Sequence, residues 1–307
     1  MRLKPLIKGL STYIPGMNTL VEKRGSGGTD SAAYCYGVWF KHLTLLWENG
    51  LKRMPSSLAE LGPGASIGVG LAALLSGVNT YYALDVVKYA KPSCNLTVFE
   101  RLVDLFTQRT ARPTKGWPDF DRYLDSNLFP GHILTEDILQ AALAPERIEA
   151  IRQVVLDPNF EHEGITIKYV APWNDPRIIQ KASIEVILSH SVLEHVDDLD
   201  ATYRACALWL ESQGWMSHQI DFSSHGSADT WNGHWAYSEW VWKIMMGRRP
   251  YLINRQPCST HIALLKKHGY AHSDRKNEKG VRTGEVFNPV RYKQCLPEFK
   301  CSAHNGI

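Results

Sequence analysis

The chain of 307 residues has no apolar run approaching the 18 or more residues that a membrane-spanning helix needs. Its first residues, Met1-Arg2-Leu3-Lys4-Pro5-Leu6-Ile7-Lys8, are basic but lack the long apolar core of a signal peptide. No C-x-x-C pair occurs: Cys35, Cys94, Cys206, Cys258, Cys295 and Cys301 are widely scattered, which predicts reduced thiols rather than a disulfide framework or a zinc site. No Lys/Arg run exceeds three residues and the net charge is only +3, so the electrostatic footprint of a nucleic-acid binder is missing. Internal repeats and low-complexity segments are missing too. What remains, 44% hydrophobic and 21% charged residues, is the composition of an ordinary globular protein. The expectation is a cytoplasmic enzyme of one large α/β domain or two small ones.

The richest stretch is Leu58-Ala59-Glu60-Leu61-Gly62-Pro63-Gly64-Ala65-Ser66-Ile67-Gly68, followed by Tyr82-Ala83-Leu84-Asp85. It predicts a buried strand, a glycine-rich turn, a helix from Val69 to Ser76, and a second strand ending on a carboxylate. Glycines at such a turn let backbone approach a ligand, and an acid about 20 residues later suits a ribose diol. A dinucleotide site uses G-x-G-x-x-G with the pyrophosphate on the helix N-terminus. Here Gly62, Gly64 and Gly68 are one residue too widely spaced, and Glu60 would repel a pyrophosphate but attract a cationic amino-acid moiety. An NAD-dependent oxidoreductase is therefore disfavoured.

The run Glu60 to Gly68 resembles motif I of the class I S-adenosylmethionine (SAM) methyltransferases, and Asp85 matches their motif II acid. The resemblance extends from about Ser56 to Tyr270, and more loosely, from His218 to Tyr270, to bacterial methyltransferases of surface-polysaccharide pathways. It implies a Rossmann-like α/β fold: a seven-stranded, mostly parallel sheet with helices on both faces and an antiparallel last strand. It also implies SAM as cofactor. Backbone at Gly62, Pro63 and Gly64 would lie against the methionine moiety, Glu60 would hold its ammonium and Asp85 the ribose hydroxyls. Ala171, Pro172 and Trp173 would lie beside the adenine. Ser189-His190-Ser191-Val192-Leu193-Glu194-His195-Val196 resembles the fourth-strand motif, with Ser189 and His190 lining the methionine end and His195 in a supporting role.

Around this frame the sequence predicts a helical extension over residues 1–54 and a methyltransferase domain over 55–307. The extension includes the polar turn Gly25 to Asp30 and an aromatic-rich helix from Ala32 to Trp47, capped by Asp30 or Ser31. Its aromatics pack in the core or close over the cofactor. Between Asp85 and the strand Ile165–Val170 the chain is far longer than a crossover needs, so an insertion is expected around 90–164, with helical patterns at Val98–Gln108, Glu136–Leu143 and Pro145–Val155. Further strands are expected at Ile184–Ser189 and Trp215–Asp221, separated by a helix whose apolar stripe is Leu199, Tyr203, Cys206 and Leu210.

The fifth strand ends in His218-Gln219-Ile220-Asp221-Phe222-Ser223-Ser224-His225. An alcohol needs its proton removed as it attacks, for which histidine is suited at neutral pH. His218 or His225 is the expected base, with Asp221 orienting one of them or binding substrate. These three could instead hold a metal, or form a polar loop edge; the reading assigns no metal. Trp231, Trp235, Tyr237, Trp240 and Trp242 crowd a lid around 226–256, with Lys243, Arg248, Arg249 and Arg255 following. They suit a platform for sugar rings, an interfacial belt in peripheral membrane contact, or a helix buried on the core. The function expected is O-methylation of a sugar, glycan or glycolipid hydroxyl. N- or O-methylation of a small secondary metabolite and a non-catalytic SAM-binding scaffold stand as alternatives.

Overall fold

The computed structural model describes residues 3–14, 28–114, 124–157, 161–249, 252–272 and 285–292. Residues 25–27 of the polar turn Gly25 to Asp30 thus lie outside the described residues, as do Cys295 and Cys301.

Helix α1 (Leu3–Ser11) precedes α2 (Ala32–Glu48), whose N-cap is Ser31, its side chain accepting from the Tyr34 amide. Then follow β1 (Ser57–Leu61), α3 (Gly68–Leu74), β2 (Thr80–Leu84) and α4 (Pro92–Thr107). Helices α5 (Glu136–Ala142) and α6 (Pro145–Leu156) lead to β3 (Glu161–His162) and β4 (Ile165–Val170). The second half holds β5 (Ile184–His190), α7 (Leu199–Trp209), β6 (Leu210–Asp221), α8 (Glu239–Met246), α9 (Cys258–Lys267), β7 (Tyr270–His272) and β8 (Glu285–Tyr292).

The sheet runs β3-β4-β2-β1-β5-β6-β8-β7. Strands β4, β2, β1, β5 and β6 are mutually parallel, while β8 lies antiparallel between β6 and β7. Among the described residues the sheet has eight strands, not the expected seven. The extra one is β3, which doubles back onto β4 through Glu163 and Gly164, both at positive φ (50° and 77°). Two successive left-handed residues make the tight hairpin turn that matches strand twist.

β1 is buried along its whole length, Ser57 and Glu60 included, because both its faces are covered. Helices α2, α3, α4 and α6 cover one face, where Trp39, Phe40, Tyr36, Phe99 and Phe106 form the largest cluster. The 90–164 stretch therefore contributes core as well as length. Helices α7 and α9 cover the other face around Tyr203, Cys206, Trp209 and Leu265. Leu210, expected on the helical stripe, is instead the first residue of β6, pairing with Ile184 ahead of an irregularity before Val186↔Trp215. In the 226–256 region, α1 seats Gly9 against the carbonyls of Ile244 and Met245 at the end of α8. Trp242 is buried there, whereas Trp231, Trp235 and Trp240 are exposed. Among the described residues no helix is long and apolar enough to cross a membrane.

Candidate active site

A cleft of about 1930 Å³ opens at the carboxyl ends of β1, β2, β4, β5 and β6, where strand order reverses between β1 and β5. That is where ligands gather in open α/β sheets. Its volume exceeds a typical single-ligand pocket of roughly 300–1,000 Å³, leaving room for two molecules side by side.

One end is built from the β1–α3 turn. Gly62 and Gly64 both have positive φ (67° and 77°), and a Cβ on Gly62 would fall 2.5 Å from Val192 Cγ2. Only glycine satisfies both demands at Gly62. Glu60 lines the cleft yet is only 2% exposed, and accepts a 2.5 Å hydrogen bond from the Tyr81 hydroxyl. Burial pushes its pKa up to about 7; the Tyr81 hydrogen bond opposes that shift and the nearby Asp85 adds to it. Asp85 accepts from the amides of Val86 (2.7 Å) and Gly64 (3.3 Å), and desolvation raises its pKa despite those bonds. Pro63 and Trp173 line the same cleft; Ala171 and Pro172 do not.

Residues from the N-terminal segment complete this end. Thr29 lines the cleft; its hydroxyl accepts from the Ala65 amide at 2.9 Å and its carbonyl accepts from the Ser66 hydroxyl. Tyr34 and Val38 of α2 also face the cleft, while Tyr36, Trp39 and Phe40 pack in the core. The aromatic helix thus serves both packing and the cleft wall. No motif marks Thr29 or Tyr34; only the folding of α2 against α3 brings them there.

The other end lies at β5 and β6. His190 lines the cleft, 3.3 Å from His42 Nε2 through its Nδ1 and edge-on to the Tyr34 ring. Ser189 and His218 are not brought to the cleft. Ser189 is fully buried and His218 is 3% exposed, their Oγ and Nδ1 2.8 Å apart inside the sheet. Burial, assisted by His261, depresses the His218 pKa to about 3, so this ring is neutral and a poor base at neutral pH.

Asp221 and His225 do meet on the cleft wall, with His225 Nε2 2.7 Å from Asp221 Oδ2. Burial would raise the Asp221 pKa, but the His225 contact and the Ser223 amide carry it below the ordinary value. The His225 ring is 29% exposed and its φ is +46°, a left-handed backbone uncommon outside glycine. Its edge meets the His195 ring at 5.3 Å. Glu194, His195 and His225 each place a ligand-capable atom within 4.8 Å of the others. The turn Leu193–His195 is pinned from below: Asn254 donates from Nδ2 to the carbonyls of Leu193 and Val196, and from its amide to that of Glu194. A smaller hollow of about 390 Å³, lined by Trp235, Tyr237, Trp242 and Arg255, shares Asp197 with the main cleft.

No family model matches the chain, and no curated protein does. Among solved structures it is similar to an S-adenosylmethionine-dependent methyltransferase of Mesorhizobium loti, at 12% identity and a TM-score of 0.41, over 82% of this chain and 97% of that one. It is also similar to phosphoethanolamine N-methyltransferase 2 of Haemonchus contortus bound to S-adenosyl-L-methionine, at 13% identity and a TM-score of 0.40, over 85% of this chain and 46% of that one.

Proposed function

We propose that this protein is a SAM-dependent methyltransferase acting on a hydroxyl. The carrying observation is the set Glu60, Gly62, Gly64 and Asp85 along one wall of a cleft whose far wall holds the Asp221–His225 pair. The residues present fit the cofactor. Backbone that no side chain can occupy suits a close-lying methionine moiety, and a buried carboxylate at Glu60 suits its ammonium. Asp85 is already aimed by two amides, and its remaining lone pairs suit the ribose hydroxyls. Trp173 offers a flat face for adenine.

Bound there, SAM supplies a methyl group activated by its sulfonium. The chain's own contribution is alignment and proton removal. His190, Ser191 and Val192 line the cleft at the exit of β5, between β1 and β6, where they would help align the acceptor with the methyl group, as displacement at carbon requires. Asp221 fixes the His225 ring, and the ring's other nitrogen takes the acceptor's proton. His218, shut inside the sheet, takes no part. Methyltransfer to a sugar or glycan hydroxyl is favoured by the adjoining hollow, where Trp235, Tyr237 and Arg255 combine ring faces with hydrogen-bonding groups. The 226–256 segment then serves as the acceptor-side lid.

Titration calorimetry with SAM and with NAD tests the donor. SAM binding without NAD binding is expected; NAD binding alone overturns the reading. Tritium transfer from labelled SAM into sugars, amines and phenols tests the acceptor, with label in sugars expected. Label only in small amines or phenols would replace the glycan assignment, and SAM binding without transfer to any of them would favour a scaffold.

A further inference from the structure

We infer that Glu194, His195 and His225 bind one divalent first-row transition cation at the acceptor end of the cleft. The three side chains come from two elements, the Leu193–His195 turn and the loop after β6, and their ligand atoms lie within 4.8 Å of one another. Ligands sitting about 2.0–2.2 Å from an ion lie roughly 3 Å apart, so rotations of the side chains by an ångström or so close the set. Two imidazoles with one carboxylate match the intermediate hardness of manganese to zinc, and three protein ligands leave coordination positions open.

Three features of the surroundings support the assignment. Asp221 engages His225 Nε2 at 2.7 Å, which orients the ring and leaves Nδ1 as the ligating nitrogen. A carboxylate behind a histidine in this manner fixes its tautomer and strengthens it as a ligand. Asn254 clamps the turn carrying Glu194 and His195 through three hydrogen bonds, so two of the ligands sit on backbone held from outside the cleft. The Glu194 side chain is buried, an environment in which a carboxylate is stabilised by a positive neighbour.

The inference deepens the methyl-transfer reading and rests on it for its chemistry, because His195 and His225 line the cleft where the acceptor would sit, with Glu194 buried behind them. A hydroxyl oxygen coordinated there would have its pKa lowered; its proton would pass to solvent water as the O–CH3 bond forms and the S–CH3 bond of the donor breaks. With the cation bound, His225 is a ligand; the ring is the base only in the metal-free chain.

The test uses the full chain stripped with a chelator and titrated with Co2+, read by visible absorption, with thermal unfolding as a second readout. The expected result is one equivalent bound, ligand-field bands without sulfur charge transfer, and a raised melting temperature. Glu194→Gln is expected to weaken Co2+ at least tenfold, while His162→Asn, remote in the sequence and half-exposed, changes nothing. Should the buried Glu194→Gln fail to fold, His225→Asn, altered at a partly exposed ring, carries the same expectation. No bands, bands from thiolate ligands, or bands unchanged in the folded variants would overturn the site. SAM calorimetry on the stripped chain separates the two readings: SAM binding without Co2+ binding removes the cation alone, whereas Co2+ binding without SAM binding removes the methyl-donor reading and keeps the site.

Discussion

At the donor end of the cleft, the two acids and the glycine turn come from one β-α-β stretch: Glu60 on β1, the Gly62–Gly64 backbone after it, and Asp85 at the end of the neighbouring parallel strand β2. At the acceptor end, Glu194, His195, Asp221 and His225 come from the exits of β5 and β6, braced by Asn254 from beyond α8. At the donor end the two acids, Glu60 and Asp85, are buried. The acceptor end is partly open, carries a histidine at positive φ, and adjoins exposed tryptophans. On the methyl-transfer reading, the cofactor common to every turnover would meet a buried cradle of backbone and carboxylate. An acceptor that arrives and leaves needs access, and its chemistry depends on a few side chains held at strand ends.

The largest effect is expected from the acceptor end. His225→Asn should lower kcat by about 10²–10³-fold, with the SAM dissociation constant changed less than about threefold, because the ring stands on the opposite wall from Glu60 and Asp85. Rapid-quench transfer assays beside SAM calorimetry measure both. A comparable loss of SAM affinity would erase the division between the two ends. His218→Gln keeps a hydrogen-bonding partner for Ser189 and should leave kcat within about threefold once stability is matched, since that ring lies outside the cleft.

Next in size comes Asp85→Ala, expected to weaken SAM by about 100–200-fold, the loss of two hydrogen bonds to a charged group at about 1.5 kcal/mol each. With saturating SAM its kcat should stay within a few fold of the parent. Gly62→Ala tests the seam between the ends, since its methyl would collide with Val192 on the β5 exit and its φ disfavours any side chain. It should weaken SAM by about tenfold or more, and Val192→Ala in the same chain should recover part of that by removing the collision. No recovery would place the whole cost in the backbone.

The unequal legibility of the two ends has the same physical origin. Glu60 to Asp85 could be read because a parallel β-α-β unit packs residues close in sequence into one site, and the φ values required at Gly62 and Gly64 restrict the residue type. The strand Ile165–Val170 and the helices that precede it were likewise visible as runs of one period. Thr29 carried no such mark, and Tyr34 was only one of several aromatics that could pack in the core or close over the cofactor, because their place depends on how α2 packs on α3. His218 and His225 looked equivalent in sequence, seven residues apart around the end of one strand. Strand alternation and a turn decide between them: one ring points into the sheet beside Ser189, the other reaches Asp221 at the rim. Glu194 and His195 fell within a recognisable motif, but their meeting with His225 is a product of the fold. The hairpin that adds β3 rests on two residues, too few for any periodic signal.

The smallest effect, and the sharpest for the donor end, concerns the proton on Glu60. Its pKa is about 7 in the folded chain against an ordinary value near 4.5, the acid being favoured by burial. Below pH 7 the free protein therefore carries that proton. An ammonium beside the carboxylate favours the ionised form, so SAM binding should expel up to about one proton near pH 6 and almost none at pH 8.5. The apparent binding enthalpy should then vary with buffer ionisation enthalpy at pH 6 only, and affinity should rise with pH through about 7. Stability should move the other way. A raised folded pKa contributes stability that is complete below pH 4.5 and lost as pH climbs through 7, and Glu60→Gln should flatten this slope. Proton release that survives in Glu60→Gln would assign it to another group and leave the ammonium without its carboxylate, whereas its disappearance ties the buried acid to the charge it was placed to meet.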